Sequence, residues 1–235
     1  MRSIEVCFTP DLIRQHSLKE KTVVVVDIFR ATSCIVTGLA HGVKAIKPIA
    51  EIEETLLHGP KGYVMAGERG GVVVEGFDIG NSPFEYQQDY LASRKVAIST
   101  TNGSQAVLKS QGASEILVGA FLNLEALAMY LVESKRDILI HCAGWKGTPN
   151  LEDSLFAGAL IDEVAESLTI SGDSALIAHQ LFISAHENLL ATALKSSHAE
   201  RLKNFGTEQD LVFCMEESKY AIVPKLIEGE LVIPT

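Results

Sequence analysis

Short apolar runs alternate along the chain with longer segments in which apolar residues recur at helical spacing. The short runs are rich in β-branched residues, as strands are, and the longer segments follow the 3.6-residue period of a helix. The predicted strands cover residues 4–8, 22–27, 43–47, 62–66, 96–100, 115–118 and 137–142. The predicted helices cover residues 31–40, 51–57, 83–92, 104–110, 124–134 and 151–167.

This alternation predicts an α/β protein with three layers, α/β/α, around a mixed and largely parallel sheet, because parallel strands need crossover connections. The pattern changes after residue 167. A long helical stretch over 174–203 precedes strand-like segments at 211–215, 221–223 and 231–233. We expect a single domain over residues 1–235, with a composition shift that could mark a sub-lobe boundary near residue 170. No linker-like or repetitive segment separates the two parts.

One helix start carries a specific signal. The segment Ser82-Pro83-Phe84-Glu85 places a cap hydroxyl, a proline at the first helical position and a carboxylate at the third. These are the residues of a capping box, so the helix over 83–92 is predicted to begin there.

The composition of the 235 residues, 47% hydrophobic and 21% charged, is that of an ordinary globular protein. Twenty basic residues against 30 acidic ones give a net charge of -10, which argues against general binding to nucleic acid or anionic membranes. The longest aliphatic run, residues 23–26, is far shorter than the roughly 20 residues that cross a bilayer. The first residues lack the continuous apolar core of a secretory signal, so we expect a cytoplasmic protein.

The first candidate for chemistry follows the apolar run 22–26, which delivers Asp27, Arg30 and Thr32 just ahead of a helix. Ligands of open α/β sheets bind beyond the carboxyl ends of strands. There Asp27 is suited to bind a metal ion or act as a nucleophile, and Arg30 to bind a phosphate or carboxylate. The alternative is that these residues only form the turn, the cap and a surface ion pair.

A glycine-rich loop follows the predicted strand 62–66, with five glycines within residues 67–80. Glu68, Arg69, Asp78 and Asn81 lie in or beside it. Such a mixture suits an anion and a hard cation bound together, since Mg²⁺ prefers carboxylate oxygen, water and substrate phosphate. The alternative is a long solvated turn.

A third segment, Thr100-Thr101-Asn102-Gly103-Ser104, again lies between a strand and a helix. Its hydroxyls, its amide and the N–H groups of the helix start suit an oxyanion or phosphate. The chain contains neither a P-loop nor a G-x-G-x-x-G motif, so nucleotide binding has no motif support. The alternative is a tight turn followed by a capping serine.

The fourth segment joins His141-Cys142 to Lys146 and then to Glu152-Asp153 at a helix start. A cysteine phosphatase needs arginine six residues beyond its cysteine, and Thr148 stands there, which disfavours a thiolate mechanism. Asp153 is a candidate metal ligand or general acid/base, with charge complementing the helix dipole as the alternative.

An aspartyl-phosphate mechanism lacks one of its usual residues. Its motif has a second acid two residues after the nucleophile, and here Phe29 follows Asp27 at that spacing. The usual proton donor to the leaving group is therefore missing, although Asp27 remains a candidate nucleophile. The seven histidines show no metal-binding spacing and are interpreted as surface or core residues.

In their combination and order, these segments resemble the 2-phosphosulfolactate phosphatase family, the ComB-like Mg²⁺-dependent acid phosphatases that release sulfolactate in the coenzyme M pathway. Residues 198–224 match the family more loosely. The segments that carry the resemblance are 27–32, 67–71, 76–83, 100–104 and 142–144 with Glu152-Asp153.

The resemblance implies a Mg²⁺-dependent hydrolase that converts 2-phosphosulfolactate to sulfolactate and phosphate. Some of Asp27, Glu68, Asp78 and Asp153 would bind Mg²⁺, and the catalytic candidates are Asp27, Arg30, Glu68 and Asp153. Direct attack by water and an aspartyl intermediate at Asp27 stay open, as do another small anionic phosphoester as substrate and a non-catalytic binder of such an anion. A homodimer is expected from the frequency of dimers among soluble enzymes. The substrate would be bound by Arg69, Asn81, Thr100, Thr101, Asn102, Gly103, Ser104 and Lys146.

Overall fold

The computed structural model of the protein describes residues 2–234. Its sheet contains all seven strands that were predicted up to residue 142. The strands are β1 (Ser3–Cys7), β2 (Thr22–Val26), β3 (Ala45–Pro48), β4 (Val64–Arg69), β5 (Val72–Val73), β6 (Lys95–Ser99), β7 (Glu115–Gly119), β8 (Ile138–Cys142), β9 (Thr169–Ile170), β10 (Lys225–Ile227) and β11 (Glu230–Val232). The helices are α1 (Ala31–Ala40), α2 (Ile52–Leu56), α3 (Gly103–Lys109), α4 (Leu124–Glu133), α5 (Leu151–Val164), α6 (Asp173–Ala185), α7 (Leu189–Ala193), α8 (Ser197–Lys203) and α9 (Glu208–Cys214).

Strand β2 lies between the parallel strands β7 and β8, and all five of its residues are buried. Successive side chains point to opposite faces of a strand. Val23 and Val25 accordingly pack in one apolar cluster with Ala106 of α3, whereas Val24 and Val26 pack in the other. Helices cover both faces of the sheet, so the predicted three-layer α/β fold is confirmed.

The C-terminal hairpin of β10 and β11 lies inside the sheet. Its strands pair antiparallel with β7 on one side and β3 on the other, and so join two sets of parallel strands. The strand order is β5-β4-β6-β3-β11-β10-β7-β2-β8-β1-β9. The last residues of the chain therefore complete the same sheet as the first, while the sub-lobe boundary near residue 170 stays a prediction.

Two helix predictions were wrong in extent. The stretch 83–92 forms two short 3₁₀ helices, Glu85–Gln87 and Asp89–Leu91. Half of the capping box forms, since Oε2 of Glu85 accepts from Ser82 N at 3.2 Å, but the Ser82 hydroxyl binds Asp210 instead of its own helix. The stretch 174–203 is divided because Ser196 caps a new helix, its Oγ accepting from Ala199 N at 3.0 Å.

Two strand predictions near the C-terminus were also wrong. Residues 211–215 belong largely to α9, where Leu211 and Cys214 are buried one helical turn apart and Val212 is exposed. Periodicity alone does not separate a short buried helix from a strand. Residues 221–223 form no strand, and 231–233 match β11. Within residues 2–234, no helix has the length and apolar character to cross a membrane.

Candidate active site

Asp27 follows the last residue of β2 and is almost completely buried. The turn around it is fixed by Thr32, whose Oγ1 accepts from Asp27 N at 3.0 Å and donates to Asp27 O at 2.9 Å. Burial raises the pKa of the Asp27 carboxyl to about 6, the negative charges of Glu68 and Glu152 add to this effect, and His198 opposes it. Asp27 therefore changes its charge near neutral pH, as a residue in proton transfer or metal binding does.

The carboxylate of Glu68 lines the same narrow cleft as Asp27. It accepts from Thr101 N at 2.9 Å and from Gly71 N at 2.7 Å, which holds the glycine-rich loop against the loop after β6. Asn81 lines the cleft as well, and its buried Oδ1 has no hydrogen-bond partner among the described residues.

The loop after β6 approaches Asp27 through Gly103. A Cβ on Gly103 would lie 2.6 Å from the Cβ of Ala31 and 2.8 Å from Oδ2 of Asp27, closer than atoms of a side chain can pack. Only glycine therefore allows the start of α3 to reach Asp27, and this contact brings the loops after β2 and β6 together.

Several groups of the predicted anion-binding segment are engaged in hydrogen bonds within the protein. Thr100 N donates to Ser104 Oγ at 3.1 Å, and Ser104 N donates to Thr100 Oγ1 at 3.1 Å. The N–H of Thr101 is taken by Glu68. Asn102 alone of residues 100–104 lines the cleft, so this segment shapes the site more than it offers donors to a ligand.

Arg30 lines the cleft too, but its buried guanidinium is paired with Asp210 of α9. Arg69 lies outside the cleft lining and donates to carbonyl oxygens of Ala50 and Ser99 at 3.0 and 3.1 Å. Lys146 is exposed beside the ring of Trp145. The two arginines predicted to bind substrate are thus engaged within the protein.

Asp153 is completely buried at the start of α5 and lies outside the cleft lining. Its Oδ1 accepts from Ile28 N at 2.9 Å and its Oδ2 from Gly144 N at 3.2 Å. Burial, with the charges of Glu152 and Asp27, raises the pKa of Asp153 well above its usual value. In this position Asp153 ties together the chain segments that follow the neighbouring strands β2 and β8.

The predicted metal-binding carboxylates do not all meet. Asp78 is exposed and accepts from Met65 N at 2.7 Å, and neither Asp78 nor Asp153 belongs to the cleft lining that contains Asp27 and Glu68. Within residues 2–234, no three His, Cys, Asp or Glu side chains are grouped as a metal site. Mg²⁺ needs only one or two carboxylates, because it keeps several waters. Asp27, Glu68 and the unpartnered Oδ1 of Asn81 therefore fit Mg²⁺ as a set of oxygen donors.

Among the residues that line the cleft, the sequence analysis did not predict Trp145, His198 and Arg201 as site residues. His198 and Arg201 lie one turn apart on α8, and both contact Trp145. The Arg201 guanidinium stacks 3.9 Å from the centre of the Trp145 ring, and no described carboxylate lies within ion-pair distance of it. The charge of Arg201, unlike that of Arg30, is therefore not paired with a carboxylate among the described residues.

Glu152 was not among the predicted site residues, yet it is completely buried beside the cleft. Its Oε1 lies 2.7 Å from Nδ1 of His198, 46 residues further along the chain. No local motif links residues so far apart, so the pair could not be predicted from local sequence patterns.

Cys142 is completely buried at the end of β8. Burial raises the pKa of its thiol well above the usual value, and the charge of Asp153 adds to this effect. A thiolate is therefore strongly disfavoured at this position, in agreement with the missing arginine at Thr148.

A larger cavity of about 610 Å³ lies elsewhere, lined by Phe84, Phe213 and Tyr220 among others. It contains none of the strand-end carboxylates described above, and its exposed lining is mainly apolar. Size alone does not mark a catalytic site, and the chemistry of the smaller cleft is the more specific.

Comparison with known proteins agrees with the resemblance. The family model described as 2-phosphosulpholactate phosphatase matches residues 7–229. The chain belongs to the 2-phosphosulfolactate phosphatase family. This confirms the predicted family and with it the enzyme class, a phosphoric monoester hydrolase.

Three relatives carry the name probable 2-phosphosulfolactate phosphatase. The protein of Thermotoga petrophila is 39% identical over 91% of this chain and 92% of its own. That of Caldanaerobacter subterraneus is 36% identical over 94% of both chains. That of Carboxydothermus hydrogenoformans is 36% identical over 98% of this chain and 96% of its own.

Proposed function

We propose that this protein is a Mg²⁺-dependent phosphatase that converts 2-phosphosulfolactate to sulfolactate and phosphate, the reaction type of coenzyme M biosynthesis. The names of the relatives support the substrate. The observation that carries the metal dependence is the cleft itself, which combines Asp27, Glu68 and the free Oδ1 of Asn81 with the unpaired cation of Arg201.

Bound by Asp27, Glu68 and Asn81, Mg²⁺ would supply positive charge to the phosphoryl oxygens during transfer. Arg201 would bind the phosphate through its forked donors, and the stacking on Trp145 fixes the plane of the guanidinium. The surrounding loops hold these groups in place before the substrate arrives, which is how phosphoryl transfer is mainly accelerated.

Phosphate release from 2-phosphosulfolactate tests this proposal, measured with EDTA-treated protein before and after addition of Mg²⁺. We expect turnover only with Mg²⁺. Asp27→Asn should lower the rate by at least about 100-fold. Asp78→Asn is the matched control, because Asp78 is exposed outside the cleft and should retain the wild-type rate.

Other outcomes would change the proposal in defined ways. Hydrolysis of a different phosphoester alone would replace the substrate, and binding without phosphate release would make the protein a non-catalytic binder. Activity that survives EDTA and is lost in Cys142→Ser would assign a cysteine nucleophile. Rapid-quench trapping of a phosphoenzyme distinguishes attack by Asp27 from direct attack by water.

The homodimer and the cytoplasmic location stay predictions. Light scattering on the purified protein tests the first, and cell fractionation tests the second.

A further inference from the structure

Glu152 and His198 form a buried pair beside the cleft. Glu152 is completely buried and His198 is 6% exposed. Nδ1 of His198 lies 2.7 Å from Oε1 of Glu152. An ionised Glu152 only accepts hydrogen bonds, so it pairs with the form of His198 that carries a proton on Nδ1. The Asn150 amide, 3.3 Å from the same nitrogen, then donates no bond to it.

The other ring nitrogen of His198 is left for a ligand. The imidazole lines the cleft beside Asp27, and Nε2 makes no hydrogen bond to any described residue. The ring packs edge-on against Phe29, with centroids 6.4 Å apart, and stacks with Trp145 at 5.9 Å. The carboxylate and the two aromatic rings therefore fix the direction of Nε2.

Hydrolysis of an alkyl phosphate needs a proton for the leaving oxygen, because an alkoxide is a poor leaving group. The usual acid two residues after Asp27 is replaced by Phe29, and Phe29 itself packs against His198. The acid that is missing two residues after Asp27 can thus be replaced by His198 of α8, which lines the same cleft.

We propose that His198 is the general acid that protonates the leaving oxygen, and that Glu152 is the positioning residue that orients its imidazolium. This inference rests on the proposed phosphatase function. Asp27, Glu68 and Glu152 supply the negative charges around the ring. Arg201 and Arg30 supply the positive charges of the cleft, and Arg30 is paired with Asp210. The buried Glu152 offsets the positive charge that the ring carries before proton transfer.

The step balances in atoms and electrons. The oxygen of the nucleophile forms a bond to phosphorus, and the bond from phosphorus to the leaving oxygen breaks, its electron pair staying on that oxygen. The leaving oxygen takes the proton from Nε2 of His198. The neutral imidazole regains a proton from the water consumed in the reaction, and the products are an alcohol and phosphate.

Leaving-group dependence tests the proposal. The rate kcat/KM is measured for a series from p-nitrophenyl phosphate, whose leaving group departs without a proton, to 2-phosphosulfolactate and other alkyl phosphates. We expect His198→Gln to lower kcat/KM by about 100-fold or more for the alkyl esters and by less than about tenfold for p-nitrophenyl phosphate. His179→Gln is the matched control, since His179 pairs with Asp162 at 2.8 Å away from the cleft and should behave as wild type.

The role of Glu152 has its own readout. Glu152→Gln should lower kcat/KM for the alkyl esters more than for p-nitrophenyl phosphate. The double variant Glu152→Gln/His198→Gln should show no larger preference than His198→Gln alone, because both changes act on one proton transfer. Independent, additive losses would contradict the positioning role.

An equal loss on every ester in folded His198→Gln would overturn the assignment of His198. Circular dichroism checks the fold, and His198→Asn is the second variant if the first does not fold. Failure of the wild-type protein to hydrolyse any ester would instead contradict the phosphatase function, so the two failures are distinguishable.

Discussion

The guanidinium of Arg30 and the carboxylate of Asp210 form a buried ion pair between residues 180 positions apart in the chain. Ser82 donates to the other oxygen of Asp210 at 2.9 Å. Asp210 thereby connects the turn after β2 with the loop after β5 and with α9. The pair holds Arg30 in the lining of the cleft. It also neutralises the charge of Arg30, which was predicted from the sequence to bind a phosphate or carboxylate.

Removing one partner of this pair should strongly destabilise the protein. Asp210→Ala leaves the positive charge of Arg30 buried without a counterion, so the free energy of unfolding should fall by about 3 to 5 kcal/mol. Urea denaturation measures the change. The control is Glu216→Ala, which breaks the exposed pair with Lys219 and should cost less than about 1 kcal/mol. Equal effects of both changes would contradict the structural importance of the buried pair.

The contact between Gly103 and Asp27 gives a second prediction. Gly103→Ala should lower the free energy of unfolding by about 1 to 3 kcal/mol, because the new methyl group overlaps Ala31 and the Asp27 carboxylate. It should also slow phosphate release by displacing Asp27. Gly59→Ala is the control, since its Cβ would meet only the end of the flexible Met65 side chain. Wild-type activity in Gly103→Ala would contradict the proposed role of this close approach.

The sequence predicted most of the strands and two carboxylates of the cleft, because Asp27 and Glu68 each lie at the end of an apolar run. Side-chain direction was harder to predict. Neighbouring residues of a strand point to opposite faces, so with Glu68 in the cleft, Arg69 turns toward Ser99 and Ala50 instead.

The contribution of α8 to the cleft was beyond prediction from local pattern. His198 lies 171 positions after Asp27 in the printed sequence, within a segment predicted as one continuous helix. The cap at Ser196 divides that segment and sets the orientation of α8. Ser196 is a local signal for the start of a new helix. Which residues that helix contacts depends on tertiary packing and not on the local sequence.

The raised pKa of Asp27 predicts a pH-dependent stability. Unfolded aspartate ionises near pH 3.8 and buried Asp27 at about 6, so the folded state binds the proton more tightly. The stability from this protonation is present below pH 3.8 and is lost as the pH rises to 6. The free energy of unfolding of the metal-free protein should fall by about 3 kcal/mol over this interval, relative to that of Asp27→Asn, whose side chain at this position does not titrate. Urea denaturation of both proteins from pH 4 to 7 measures it, and a constant difference would contradict the prediction.

Arg201 and Lys146 both approach the Trp145 ring, and their comparison tests which cation binds the substrate. Arg201 lines the cleft, whereas Lys146 is exposed outside its lining. Hydrogen bonds to charged groups contribute about 1.5 to 3 kcal/mol, so Arg201→Met should raise KM for 2-phosphosulfolactate by about 10- to 100-fold. Lys146→Met should change KM less than about twofold, because a solvated charge at this distance is screened. Steady-state kinetics measure both, and a larger effect of Lys146→Met would place the anion at the rim of the cleft instead of beside Asp27.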